Sequence, residues 1–332
     1  MTALRRLIDF YLLLLIGAVA LATFLPARGQ GAVITEWGTM AAVALLFFLY
    51  GARLSPAAIW SGLSHWRLQS VVFASTFVLF PLIGLAVTAV FGRWMSPDVA
   101  LGMLYLCLLP STVQSSIAFT SIARGNVPAA LCSASVSNLV GVLITPLLIS
   151  LLLSSSGAGG SLKAVTDIGL QILLPFALGQ LARPMIGAFL LRHAKLVGMV
   201  DRGSILLVVY GAFSVGMVAG VWKQLGIADL TLVICLDILI LAMVIVATTV
   251  ASRRLGFSKE DEIAIVFCGS KKSMVSGIPM ATILFPAGSV SLIVLPLMLF
   301  HQIQLFVCAI LARRYAERPQ LDEPVVEGLA QD

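Results

Sequence analysis

Residues 267–280 read "FCGSKKSMVSGIPM", and in this apolar neighbourhood Lys271 and Lys272 stand side by side among Ser270, Ser273 and Ser276. An ammonium near the centre of a bilayer costs roughly 2.5 kcal/mol or more unless it reaches the interface, pairs with another group or faces water. Neither lysine is near enough to a helix end to reach the interface, so both mark the interior. On a regular helix consecutive side chains diverge by about 100°. Both lysines therefore face one cavity only if the backbone is unwound there; otherwise one binds a ligand and the other packs.

A second stretch, residues 106–119, reads "LCLLPSTVQSSIAF": Pro110 opens a run containing Ser111, Thr112, Gln114, Ser115 and Ser116. In both stretches helix breakers (Pro110 in one, Gly269, Gly277 and Pro279 in the other) accompany hydroxyls. A helix broken inside hydrocarbon leaves N–H and C=O groups that need other partners or a water-lined cavity. Its half-helix ends also offer partial charges, positive at the N-termini. With Ser115, Ser116, Ser270 and Ser273 as donors or acceptors, such a site suits an anion's oxygens or, through lone pairs, a small cation.

Asp237 is the main acid within an apolar segment and the candidate to neutralise one lysine, either as a structural ion pair or as a proton-coupling group. His301, beside Gln302, is a packed core histidine or a proton carrier. Asn138 lies in a third polar patch with Ser133, Ser135 and Ser137. Small residues in a span permit close helix packing, whereas the Asn138 amide needs a specific partner and belongs with the binding candidates.

The elements that position these groups follow from composition. The 332 residues are 60% hydrophobic and 11% charged, with mean hydropathy +1.05, well beyond the roughly 45–50% apolar content of soluble domains. This is a membrane protein. Stretches of about 20 apolar residues, enough to cross roughly 30 Å of hydrocarbon, fall near 7–25, 35–51, 68–91, 98–123, 127–152, 164–188, 203–221, 229–251, 260–284 and 288–312. The first follows Arg5 and Arg6 but is long and has many equals, so it reads as a retained helix rather than a signal peptide.

Of the 21 basic residues, fifteen fall at the termini, in even-numbered loops or, for Arg183, near the end of the sixth stretch that adjoins one, and four in odd-numbered loops, leaving Lys271 and Lys272 within a helix. That positive-inside bias predicts an inner (plasma) membrane protein with both termini cytoplasmic, and it explains the net charge of +6 without nucleic acid. The acidic end after Arg314 has no apolar periodicity and reads as a short disordered tail.

The interrupted segments are the fourth and ninth of ten. Two five-helix repeats of opposite orientation, 1–152 and 164–312, followed by a tail at 313–332, would place them so. The expected fold is thus an all-α polytopic membrane protein of ten transmembrane helices in two inverted repeats, with broken helices 4 and 9. Paired broken helices meeting near the midplane are the pattern of secondary transporters; the plainer reading is two proline-kinked helices. Enzyme signatures such as G-x-S-x-G, H-E-x-x-H or a Walker loop are missing from the sequence. The cysteines (Cys107, Cys132, Cys235, Cys268 and Cys308) show no metal-ligand spacing and read as packing residues. No catalytic residue, metal or cofactor is expected.

The order and content of these segments resemble the bile acid:sodium symporter superfamily, and more closely its YfeH-type branch of SBF-like transporters. The resemblance is carried by "FLYGARLS", by "LPSTVQSSIAFTSIARGNVPAALCSASVSNLVG" and by "FCGSKKSMVSGIPMA", and it covers nearly the whole chain to about Arg314. It implies a panel domain (segments 1, 2, 6 and 7), a core domain (3 to 5 and 8 to 10) with the broken helices crossed, and a solute, typically an organic anion, bound between them. Sodium-coupled members have P-G-G-T-x-S-N in segment four and E-x-G-x-Q-N in segment nine. Here "PSTVQSS" puts Ser115 and Ser116 at the Ser and Asn positions, and "CGSKKS" puts Cys268 at the carboxylate, Lys272 at Gln and Ser273 at Asn.

Losing an anionic ligand and gaining an ammonium is incompatible with a sodium ion there, since unit charges 4 Å apart repel by about 4 kcal/mol at an effective dielectric of 20. A lysine ammonium is expected to stand in the missing cation's place. Either it stays charged and attracts an anionic substrate, or it gives up a proton in each cycle. The expected partners are then a small organic anion, the lipid bilayer and protons, with sodium disfavoured. A monovalent cation/proton antiporter and a non-transporting membrane regulatory protein are the alternatives.

Overall fold

The computed structural model describes residues 10–53, 65–154, 174–220 and 226–318; the C-terminal tail, the start of the sixth apolar stretch and part of "FLYGARLS" lie outside them. The described residues form helices and short connections, with no strand among them. In order these are α1 (Phe10–Phe24), α2 (Gln30–Arg53), α3 (Trp66–Ala74), a π-helical turn (Ser75–Leu79), α4 (Phe80–Phe91), α5 (Pro97–Leu108), α6 (Gln114–Ile122) and α7 (Val127–Ser154). There follow α8 (Leu174–Arg192), α9 (Ala194–Ala219), α10 (Ile227–Arg254), α11 (Lys259–Gly269), α12 (Met274–Leu284) and α13 (Val290–Ala316).

Among the described residues seven helices, not ten, are long and apolar enough to cross a membrane. The difference has a local cause. The fourth stretch is divided into α5 and α6 and the ninth into α11 and α12, while the first is described only from Phe10. Leu109 is extended (ψ 155°), as a residue before proline is driven to be, so α5 stops there. At the second break α11 stops at Gly269, and Ser273 starts α12 by accepting a hydrogen bond from the Ser276 N–H.

Packing gathers the helices into two groups. In one, α2 packs on α8, and α9 packs on α1 and α2. Gly51 and Gly179 lie so near the Phe176 and Phe48 carbonyls that a Cβ at either would collide with backbone, a crossing that only small residues allow. In the other, α11 packs against α3, α6, α7 and α10, and α13 against α5, α6, α10 and α12. Contacts of α9 with α12 and α13 join the two groups.

Both breaks lie in the second group. At one end of it the buried Glu262 carboxylate accepts from Arg253 (3.1 Å), Lys259 (2.7 Å) and Tyr315 (3.0 Å), holding α10, α11 and α13 together. Nearby, Asn126 joins the first half of the chain to the second by donating to Asp261 (2.7 Å) and to the Glu260 carbonyl (3.0 Å).

Candidate solute and cation site at the two helix breaks

The backbone groups freed at the breaks satisfy one another's segments. Beyond Val266, three successive carbonyls of α11 accept from serine hydroxyls: Phe267 from Ser116 (3.0 Å), Cys268 from Ser111 (2.6 Å) and Gly269 from Ser75 (2.8 Å). On the other strand of the crossing, the Leu108 carbonyl accepts from Thr145 (2.8 Å), the Pro110 carbonyl from the Ser273 N–H (2.9 Å), and the Ser111 N–H donates to Ser137 (3.2 Å). The serines and threonines that interrupt the apolar runs thus replace the helical bonds lost there, as hydrocarbon requires.

Two more freed carbonyls, those of Cys107 and Leu109, converge on the Lys272 ammonium at 3.0 and 2.6 Å, and the Thr76 carbonyl completes the set at 2.9 Å. The Phe80 ring lies 4.0 Å from the same nitrogen. Thr76 is free to take part for a reason visible in the chain. In the π-helical turn the Phe80 N–H bonds the Ser75 carbonyl, so the residue four ahead of Thr76 is already committed. The residue five ahead is Pro81, which has no N–H.

All three ammonium protons of Lys272 therefore meet carbonyl oxygens, with a ring face closing the shell. Gln304 fixes the same residue's backbone: its Oε1 accepts from the Lys272 N–H (2.9 Å) and its Nε2 donates to the Lys272 carbonyl (3.0 Å). His301 meets Gln304 through Nδ1 at 2.8 Å, so its place is in this clamp.

Lys271 turns to a different surrounding. Its ammonium donates to the Ser115 carbonyl (2.9 Å) and lies 4.1 Å from the Phe119 ring and 5.3 Å from that of Phe267. The backbone at 270–273 is indeed non-helical, yet the two lysines do not share a cavity. Both are fully buried, each among its own carbonyl and aromatic partners.

The sequence candidates divide into two shells. Cys268, Ser270, Lys271, Lys272, Ser273, Ser116 and Thr112 are buried in the crossing. Gln114 is exposed, and Ser115 and Asn138 are partly so. Asn138 has the specific partner its amide required, accepting from Ser276 (2.8 Å), and Thr112 and Ser115 share a hydroxyl contact of 2.5 Å. Cys268 points toward α7, 3.6 Å from the Ala130 carbonyl.

One expectation is overturned. Asp237 neutralises neither lysine: it is fully buried in α10, and both its oxygens lack a hydrogen-bond partner among the described residues. Backbone carbonyl dipoles solvate the Lys272 and Lys271 ammoniums in its place, leaving their charge intact.

The profile of the SBF-like CPA transporter family (DUF4137) matches residues 9–317. The chain belongs to this family. Among curated relatives of this SBF-like transporter, an uncharacterized protein of Pseudomonas aeruginosa is 57% identical over 318 residues, 95% of each chain. A protein of Escherichia coli (strain K12) named "Putative symporter YfeH" is 52% identical over 321 residues, 96% of each chain. Sodium/bile acid cotransporter 7 of Danio rerio is 28% identical over 313 residues, covering 90% of this chain and 91% of that one. The functionally named relatives are carriers rather than enzymes, and this SBF-like transporter is a multi-pass membrane protein of the same kind.

Sequence reasoning passed over Gln304, Thr76 and Pro81. Gln304 had a signal: it lies three residues from His301, on the same helical face, whereas Gln302 does not share that face. Thr76 had a weaker one, a Ser75-Thr76 pair five residues before a proline.

Proposed function

We propose that this protein carries an organic anion, or a related amphipathic solute, across the membrane by alternating access and without sodium. The observation that carries the reading is the Lys272 ammonium enclosed by three carbonyls and the Phe80 ring. Carbonyl oxygens converging on a point are the ligands that an alkali cation uses. A tethered ammonium there removes both the room and the electrostatic reason for a mobile one.

The solute lies against Gln114, Ser115 and Asn138, the accessible polar residues beside the break. Behind them the Lys271 ammonium, held by the Ser115 carbonyl, supplies positive potential without touching the solute. The halves 1–152 and 164–312 are inverted five-helix repeats, and the group formed by α1, α2, α8 and α9 is the panel against which the remaining core rocks. The protein resides in the inner membrane with both termini in the cytoplasm, as the distribution of its basic residues favours. The symporter and cotransporter names of its relatives favour solute carriage over cation/proton exchange.

Purified protein screened for thermal stabilisation by bile acids, steroid sulfates, keto acids and pantothenate tests this, because a ligand of the folded state raises its stability by mass action. An organic anion is expected to stabilise the protein equally in sodium and choline salts and to move in proteoliposomes containing either. A ligand response or flux that requires sodium would overturn the reading. Binding without flux would favour a non-transporting regulator.

A further inference from the structure

Asp237 has no role in the site described above, and its surroundings are unusual. It lies about 15 Å from the Ile227 end of α10 and about 25 Å from the Arg254 end, at roughly 1.5 Å per residue. It is thus deep within the span, fully buried, with both carboxyl oxygens unpartnered among the described residues. The helix packs against α3, the π-helical turn, α4, α11 and α13, all elements of the core group.

Arg254 lies in the last turn of α10 and Arg313 and Arg314 in the last turn of α13, far along the chain from Asp237, and other cationic and titratable groups of those elements are engaged elsewhere. Arg253 and Lys259 meet Glu262, as does Tyr315, at the far end of α11. Arg67 donates to the Leu255 carbonyl, and His301 meets Gln304.

We propose that Asp237 is a proton-binding site of the transport cycle: its carboxylate takes up one proton to become the buried acid of this conformation and returns it to water when the core reorients. An ionised carboxylate in an apolar interior needs a cation or several donors to be tolerable, and among the described residues Asp237 has neither. The neutral acid is the form this packing admits. A carboxyl kept for structure alone would be expected to hold a partner, as Glu262 does with three donors. The proposal rests on the transporter reading for the use made of the proton, but its first measurement needs no solute.

The test is infrared spectroscopy of the full chain reconstituted in lipid at neutral pH. Wild-type protein is expected to show the carbonyl stretch of a protonated carboxylic acid in a dry setting, which moves to lower frequency after transfer to heavy water as the site exchanges. Asp237→Asn should delete the band, and Asp237→Glu should restore it at a shifted frequency, which assigns it even if the amide variant folds poorly. Absence of the band, its survival in Asp237→Asn, or a band that stays unexchanged for hours would each overturn the proposal. A failed solute screen alongside an exchanging Asp237 band would instead count against the organic-anion reading alone.

Discussion

Replacing Lys272 by alanine removes the ammonium and leaves the Thr76, Cys107 and Leu109 carbonyls facing a void. Hydrogen bonds to a charged group are worth about 1.5–3 kcal/mol each, and the Phe80 ring contact about 0.5–2 kcal/mol. Against them stands the desolvation of one buried ammonium, which is several kcal/mol. The net expected loss is about 3–5 kcal/mol, the range seen when one partner of a buried charge interaction is removed. At about 2 °C per kcal/mol for a chain of this size, the melting temperature of purified Lys272→Ala protein should fall by about 6–10 °C. Lys271→Ala, which gives up one carbonyl contact among the described residues rather than three, should fall by less. The vacated shell should accept a small primary ammonium. Ethylammonium at 100 times its dissociation constant would return about 2.7 kcal/mol, about half to nine-tenths of the lost stability, to Lys272→Ala and nothing to wild type. A variant that melts like wild type, or that answers ethylammonium no more than wild type does, would refute the account of the cage.

Pro81→Ala supplies an N–H at the position that would otherwise compete for the Thr76 carbonyl. Proline to alanine in a helix interior ordinarily gains about 3 kcal/mol, but here the melting temperature is expected to stay level or fall; a rise of several degrees would show that the π-helical turn serves nothing. Gln304→Leu leaves the Lys272 N–H and C=O without their side-chain partners. At about 1–3 kcal/mol for each orphaned group, it should lose about 2–6 kcal/mol in thermal unfolding, with Gln304→Glu, which retains the acceptor, falling between.

The two breaks were legible because they are written in residue types: Pro110 and Gly269 stop helices, and the serines clustered around them supply the hydroxyls that freed backbone groups need. Asn138 was legible for the same reason, and its bond to Ser276 follows. The lysines' partners were not, because these are backbone oxygens, which every residue has. A sequence shows where a side chain carries charge; it does not show which distant carbonyls a fold will leave unpaired. Hence the natural expectation for a buried cation is a buried acid, Asp237, whereas the Lys272 charge is solvated by carbonyl dipoles from two elements. Thr76 became available through the N–H that Pro81 lacks, and a missing proton leaves little trace in a hydropathy pattern. The crossing also hid which candidates touch solvent. Gln114 and Asn138 drew less notice than the lysines, yet they are the more accessible.

The enclosed ammonium of Lys272 also constrains how such a carrier can do work. A co-transported ion contributes energy by entering from one compartment and leaving into the other, and a charge bonded to the chain does neither. In the proposed cycle, where the core moves within a polarised membrane, the fixed charge can speed or slow the loaded and empty steps, by up to about 2.3 kcal/mol per elementary charge for each 100 mV traversed. Over a closed cycle those contributions cancel, so voltage acting on Lys272 sets the pace of turnover and not its end point. Uphill accumulation of the solute has to draw on the gradient of a particle that is released.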